Sequence, residues 1–213
     1  MPLRYLTACA LVLLLGMENA SGFGRDGSGG GTRSLLMEAQ VTGDNPFRPG
    51  SNASFPARIH LQGPRLRIDV TGPEGQRVML LRDDSVAAAW LVSLDEGLAL
   101  PTDARGLGEL FVDPEHPCEH LRVRCAPAGT RFVAGKSATG WRFRDARGRG
   151  PAGTSDGEFW IHPEEGVVVA YRGTRRGRDD TLSMEARSVS TAPLPEELFD
   201  LPEVVGLPKP AGR

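Results

Sequence analysis

From Arg33 onward, apolar and polar residues mostly alternate, and Gly or Pro interrupts the alternation about every ten residues. A period of two puts alternate side chains on opposite faces of a strand, so the pattern predicts short antiparallel strands joined by tight turns. The first strand falls at 36–41, ended by Gly43-Asp44-Asn45-Pro46, and the second at 55–61. Gly63-Pro64 turns the chain into 65–70, which shows Leu66, Ile68 and Val70 on one face, and Gly72-Pro73-Glu74-Gly75 leads into 77–81. After Asp83-Asp84-Ser85, the run 86–92 is apolar on both faces, which predicts a central strand or one beneath a lid. Residues 106–111 predict a short helical turn. Further strands are expected at 130–133, 139–144, 158–162, 167–172 and 181–186, with a glycine-rich loop at 147–157. The closing stretch 194–202 predicts one helical turn that docks Leu198, Phe199 and Leu201. The fold class is therefore mainly β: one large, strongly curved antiparallel sheet, which must either close or have one face covered.

The N-terminus departs from this pattern. Arg4 precedes an uninterrupted apolar run from Leu6 to Gly16, and Ala20-Ser21-Gly22 supplies small residues for cleavage. That is the layout of a secretory signal, and the run is too short to span a bilayer, which takes about 20 residues. Leu6-Thr7-Ala8-Cys9 spells a lipobox, but it precedes most of the apolar run, so Cys9 leaves with the signal and is not lipidated. The expected organisation is a signal peptide at 1–22, a flexible glycine-rich tether at 23–34, one β domain at 35–205 and a tail at 206–213. The implied location is the periplasm or cell envelope. A formal net charge of −2 argues against nucleic acid as a partner, because neutralising phosphates needs a basic excess.

Export decides how the segment His116-Pro117-Cys118-Glu119-His120-Leu121-Arg122-Val123-Arg124-Cys125 is read. With Cys9 removed, Cys118 and Cys125 are the remaining cysteines, and two cysteines in an oxidising compartment pair. Zinc would need closer pairs of ligands, and a redox centre would favour Cys-x-x-Cys. The pair is expected to be a disulfide, with no metal.

Other chemical signals fail on their surroundings. Ala134-Gly135-Lys136-Ser137 resembles the end of a phosphate-cradling loop, but Thr130 stands where the first glycine belongs and a strand follows where a helix must. No Gly-x-Ser-x-Gly elbow occurs. His162 at the edge of a turn is expected to be solvated, and Asp83-Asp84, Glu164-Glu165 and Asp179-Asp180 are expected to solubilise hairpin tips. Arg172, Arg175, Arg176 and Arg178 crowd one hairpin, either as a solvated turn or as a contact for anionic headgroups or an acidic partner.

Taken in order, several motifs resemble the LolA-like superfamily, nearest its branch of exported proteins labelled outer-membrane lipoprotein-sorting proteins. They are Arg65-Leu66-Arg67-Ile68-Asp69; Leu80-Leu81-Arg82-Asp83-Asp84 followed by Trp90; His116-Pro117-Cys118 with Cys125; Val133-Ala134-Gly135 leading to Trp141-Arg142-Phe143; Trp160-Ile161 leading to Gly166; and Pro195-Glu196-Glu197-Leu198-Phe199-Asp200-Leu201-Pro202. The resemblance spans 35–202 and implies an unclosed half-barrel with a short helical lid and an apolar concave face that holds acyl chains. Two features depart from the lipoprotein carrier itself. Gln62-Gly63-Pro64 lacks its basic residue before the proline, and the glycine-rich tether replaces its long N-terminal helix. Lipoprotein carriage is therefore not implied.

The leading expectation is a non-enzymatic envelope protein without cofactor, binding a lipid or lipoprotein acyl chain or a similar apolar ligand. Its lining would come from Leu66, Ile68, Val78, Leu80, Trp90, Trp141, Phe143, Phe159 and Ile161, each of which would serve equally as ordinary core. The alternative is an envelope scaffold or interaction module without a ligand, which uses the arginine hairpin and a sheet edge to hold a protein partner; membrane-surface contact is a separate expectation for the same hairpin.

Overall fold

The computed structural model describes residues 33–44, 47, 51–83, 88–101, 110–178 and 180–202. Eleven strands form one antiparallel sheet: β1 (Ser34–Asp44), β2 (Asn52–Gln62), β3 (Arg65–Thr71), β4 (Arg77–Asp83), β5 (Ala88–Ser93), β6 (Leu98–Pro101), β7 (Ala126–Val133), β8 (Lys136–Phe143), β9 (Asp156–His162), β10 (Val167–Thr174) and β11 (Thr181–Ser190). Their spatial order is β6-β5-β4-β3-β2-β1-β11-β10-β9-β8-β7. One meander runs outward from β1 to β6, and a second runs inward from β7 to β11. They join where β1 pairs with β11. The sheet stays unclosed, with β6 and β7 as its edges. The mainly-β reading is thus the observed architecture.

Turn chemistry explains the hairpins. Ala134 and Gly135 both have positive φ, 49° and 79°, in the two-residue turn between Val133 and Lys136. Such a turn matches the twist of the strands it joins. The Gly-Lys-Ser sequence is therefore a hairpin tip running into β8. At Gly157 an added Cβ would strike the carbonyl oxygen of Arg172 on the neighbouring strand, so only glycine fits there.

Register separates two faces. On the inner face, Val189, Met37, Ile59, Ile68, Leu80, Leu91 and Leu100 stand directly opposite one another across seven strands, from β11 through β1 to β6. A second row joins Trp141, Phe159, Tyr171, Met184, Val41 and Phe55 across six strands, from β8 to β2. The outer face carries ion pairs instead: Arg58 meets Glu38 at 2.7 Å, and Arg142 meets Glu158 at 2.6 Å. On that side Arg131 of β7 stacks over Trp160 of β9, 3.9 Å from the ring centre, and reaches Glu185 of β11 at 3.1 Å. An edge strand can touch the central β11 this way only because this end of the sheet is strongly curled.

The chain must pass from the β6 edge to the β7 edge, and its described part, from Leu110 to Cys125, packs on the inner face. Leu121 is fully buried in the main core with Leu110 and Val112, and Cys118, Val123 and Cys125 pack against them. Backbone bonds tie this passage to β10: Val112 N–H donates to the Gly166 carbonyl, and Val168 N–H to the Leu110 carbonyl, both at 2.8 Å. Between Asp113 and Arg122 the bonds run from residue i+3 back to residue i. The described part of the cover, from Leu110 to Cys125, is a turn-rich loop. The helical turn expected at 106–111 lies outside the described residues except for Leu110 and Phe111, the latter bridging to Val167. The expected Cys118–Cys125 disulfide staples the loop, with Cα atoms 6.1 Å apart.

Three further expectations are corrected. Of the two alternatives for the 86–92 run, the central strand is excluded: β5 is next to the edge, and its described residues are apolar on both faces because each face feeds a different cluster. β6, only four residues long, gives too short an alternation to be seen in the sequence. The C-terminal turn, Glu196–Phe199, buries none of its residues, and Leu201 is 37% exposed. Polar contacts hold it instead. Arg67 donates to the Leu198 carbonyl at 3.0 Å, and the Arg65 guanidinium lies 4.9 Å from the centre of the Phe199 ring.

Replacing both Cys118 and Cys125 by Ser is expected to lower unfolding free energy by about 2–3 kcal/mol, the chain-entropy effect of so short a loop. A urea titration of the variant against the oxidised parent checks this.

Candidate functional site

The candidate site lies where the inner apolar wall meets the loops that cover it. Of the nine sequence-predicted lining residues, Leu66, Ile68, Leu80, Phe143, Phe159 and Ile161 lie in the main core, each no more than 3% exposed. Trp141 is partly buried against that core. Val78 is half-buried on the same face, opposite Val70 and Ser93. Trp90 is a correction. It registers with Leu81, not Leu80, and packs on the outer face with Met79, Leu81, Val92 and Ala99. Its place in the strand put it one step out of phase with Leu91, the true inward residue.

Two loops cap the inner face over β9. In the stapled loop, the His120 ring meets the edge of Phe159, with centroids 6.3 Å apart. Burial pushes His120 down to about 4, so the ring is neutral when docked. The β8–β9 loop adds Ala146 and Ala152 to the core, and Arg149 donates to the Leu121 carbonyl at 2.8 Å. Four non-glycine residues in these loops, Arg122, Asp145, Arg147 and Ala152, hold left-handed backbone with φ between 51° and 55°. Such conformations are costly and persist only where surrounding structure enforces them. Lone-sequence reasoning missed both the His120 contact and this strain, because neither carries a periodic signal.

Inside the wall, burial pushes the Tyr171 phenol well above its ordinary range, so it stays protonated. The indole N–H of Trp141 is buried and has no hydrogen-bond partner. Among the described residues, no group of three or more His, Cys, Asp or Glu side chains is placed to hold a metal ion.

The arginine hairpin divides in two. The Arg175 side chain, 12% exposed, sits between Asp44 at 2.8 Å and Asp180 at 2.6 Å, and Arg178 lies 3.8 Å from Asp44. Burial raises the Asp180 carboxyl, but hydrogen bonding and charge from Arg175 outweigh it and hold the group below its ordinary value. Arg175 is therefore a brace between β1 and the β10–β11 hairpin, while Arg172 and Arg176 are exposed.

His162 is a second brace, against the solvated histidine expected. It is 2% exposed. Its Nδ1 contacts Glu165 at 3.1 Å, and its Nε2 contacts the Val133 carbonyl at 3.0 Å. Glu165 also binds Lys136, whose hydrogen bond is the main reason its carboxyl titrates low. Together they lock the tip of the β7–β8 hairpin to the β9–β10 turn. Glu165 and Asp180, at two of the acidic tips, are thus ion-pair partners, not solubilising groups. Asp84 and Asp179 lie outside the described residues.

No protein-family model matches the chain, and no curated protein matches it in sequence. Solved structures do. An uncharacterized conserved protein from Thermus thermophilus superposes with a TM-score of 0.52 at 9% identity, covering 82% of this chain and 88% of its own. MucB in the MucA/MucB complex of Pseudomonas aeruginosa aligns with a TM-score of 0.46 at 12% identity, over 81% of this chain and 56% of MucB, so this chain spans a little over half of that protein. A LolA superfamily protein from Nitrosomonas europaea aligns with a TM-score of 0.33 at 8% identity, over 80% of this chain and 90% of its own. At these identities the likeness is one of fold.

His120 gives the docked loop an acid limit. Its folded value lies below the ordinary 6.5, so its contribution to stability is complete above pH 6.5 and falls as pH drops towards about 4. The loss amounts to about 3 kcal/mol at most. His120→Leu should flatten that segment of the stability–pH curve, as read from thermal midpoints at successive pH values. Arg175→Ala strands Asp44 and Asp180 in a half-buried site, and should cost about 2–3 kcal/mol in a urea titration.

Proposed function

We propose that this is an exported envelope protein that binds a lipid acyl chain or similar apolar ligand against the inner face, without catalysing a reaction. The observation that carries this reading is the unbroken apolar row from Val189 to Leu100, in register across seven strands. At the spacing of paired strands such a row extends about 29 Å, the shape of a long flexible hydrocarbon rather than of a compact solute. Ligand sites of this kind are apolar with few polar groups, and the row offers none. The motif resemblance points the same way, and the Cys118–Cys125 disulfide fits the oxidising compartment that the N-terminal signal implies. Binding would place the ligand beside the stapled loop, between the wall and its cover. Arg176, exposed at the tip of the β10–β11 hairpin, would meet an anionic headgroup, whereas Arg172, registered opposite Glu158, lies on the outer face.

A second reading, a scaffold that holds another envelope protein, is favoured by one feature. Phe132 is 80% exposed on β7, which has a neighbouring strand on one side only among the described residues. Exposed edges of this sort recruit extended peptides.

Native mass spectrometry of protein purified from the periplasm separates the two. Bound acyl species are expected. An empty protein with a stoichiometric polypeptide partner would replace the first reading by the second. Val78→Asp places a charge on the half-buried part of the wall, and should weaken displacement of a fluorescent fatty acid by about tenfold or more. Because Val78 is not in the tight core, the thermal midpoint should move little.

A further inference from the structure

Trp141 carries its indole in the reverse of the usual surface arrangement. The residue is partly exposed, yet its Nε1–H is shielded from water and has no hydrogen-bond partner among the described residues. Amphipathic side chains at a surface ordinarily bury the apolar body and leave the polar tip in water. A buried indole N–H ordinarily finds an acceptor. A donor left unbonded is destabilising, and here the folded protein already bears that penalty.

Register places this donor on the inner face. Trp141 stands opposite Phe159 of β9 and Pro127 of β7, neither of which has a side-chain acceptor. It forms the β8 end of the inner row that continues through Phe159, Tyr171, Met184 and Val41 to Phe55. The stapled loop packs over Phe159, one strand further along, so the indole lies at the margin of the cover. The wall therefore carries an unanswered donor at one end of an apolar track.

We propose that the Trp141 Nε1–H donates to the carbonyl oxygen of an acyl ester or amide, fixing the head of the chain at the β8 end of the wall. This rests on the acyl-binding reading above, and adds which end of the wall takes the polar end of the ligand and which linkage it recognises. A neutral donor suits a neutral carbonyl. A carboxylate buried there would need a cation, and the buried polar residues described are Ser34, His60, Thr154, Ser155 and His162, with no Lys or Arg among them. The hydrocarbon would then run beneath the loop towards Phe55, over five strand spacings or about 24 Å. Because the donor is already desolvated, the new bond adds to affinity without a fresh penalty on the protein side.

Methyl palmitate and methyl hexadecyl ether, equal in length and differing by one carbonyl oxygen, test this. In competition with a fluorescent fatty acid, the parent protein should bind the ester at least about fivefold more tightly than the ether. Trp141→Phe keeps an aromatic ring without the donor, and should abolish that preference by weakening the ester alone. Equal affinities in the parent, or a preference that survives Trp141→Phe, would overturn the anchor and leave acyl binding standing. If neither compound competes and the purified protein holds no acyl species, the acyl-binding reading itself falls and takes the anchor with it. Should Trp141→Phe fail to fold, the indole proton resonances of the parent decide. That of Trp141 should move downfield with the ester and not with the ether; a shift with both, or none with bound ester, refutes the anchor.

Discussion

The β1–β11 pairing is the contact on which the architecture rests. It fuses two meanders that grow in opposite directions, and so it puts the edges β6 and β7 as far apart in the sheet as they can be. Because the chain runs from one edge directly to the other, it has to cross a face. The crossing segment is the cover of the inner wall, so the site and its lid follow from a single topological fact. The disulfide then holds the described part of the crossing in shape.

The two faces answer different physical demands. On the inner side, alternation supplies an apolar surface wider than the described part of one loop. On the outer side, cross-strand charges such as Arg58 and Glu38 stay near water, where each pair contributes little and mainly discourages association. The buried braces are another matter. Arg175 between two carboxylates, and His162 between Glu165 and the Val133 carbonyl, each fasten a hairpin to its neighbour. Removing one partner leaves the others desolvated, so these few side chains guard the curl of the sheet more than the many surface pairs do.

Strand identity was legible because Leu66-Arg67-Ile68-Asp69-Val70 and its kin follow a strict period of two, with Gly and Pro marking the turns. The cysteine pair was legible from compartment and number. What escaped depends on which strands end up adjacent. Trp90 and Leu91 look equally apolar, and only the register with Leu80 and Leu81 shows which one faces inward. His162 and Arg175 sit at turn-like positions that suggest solvent, but hairpins far apart in sequence close over them.

The central seam has a temporal consequence. β1 and β11 lie far apart in sequence, so during synthesis the first six strands emerge with a long unpaired margin and wait for the last strand. Pairing of such remote segments is slow, and waiting margins invite association with other chains. The most vulnerable moment in the life of such a chain therefore comes just before the final strand arrives.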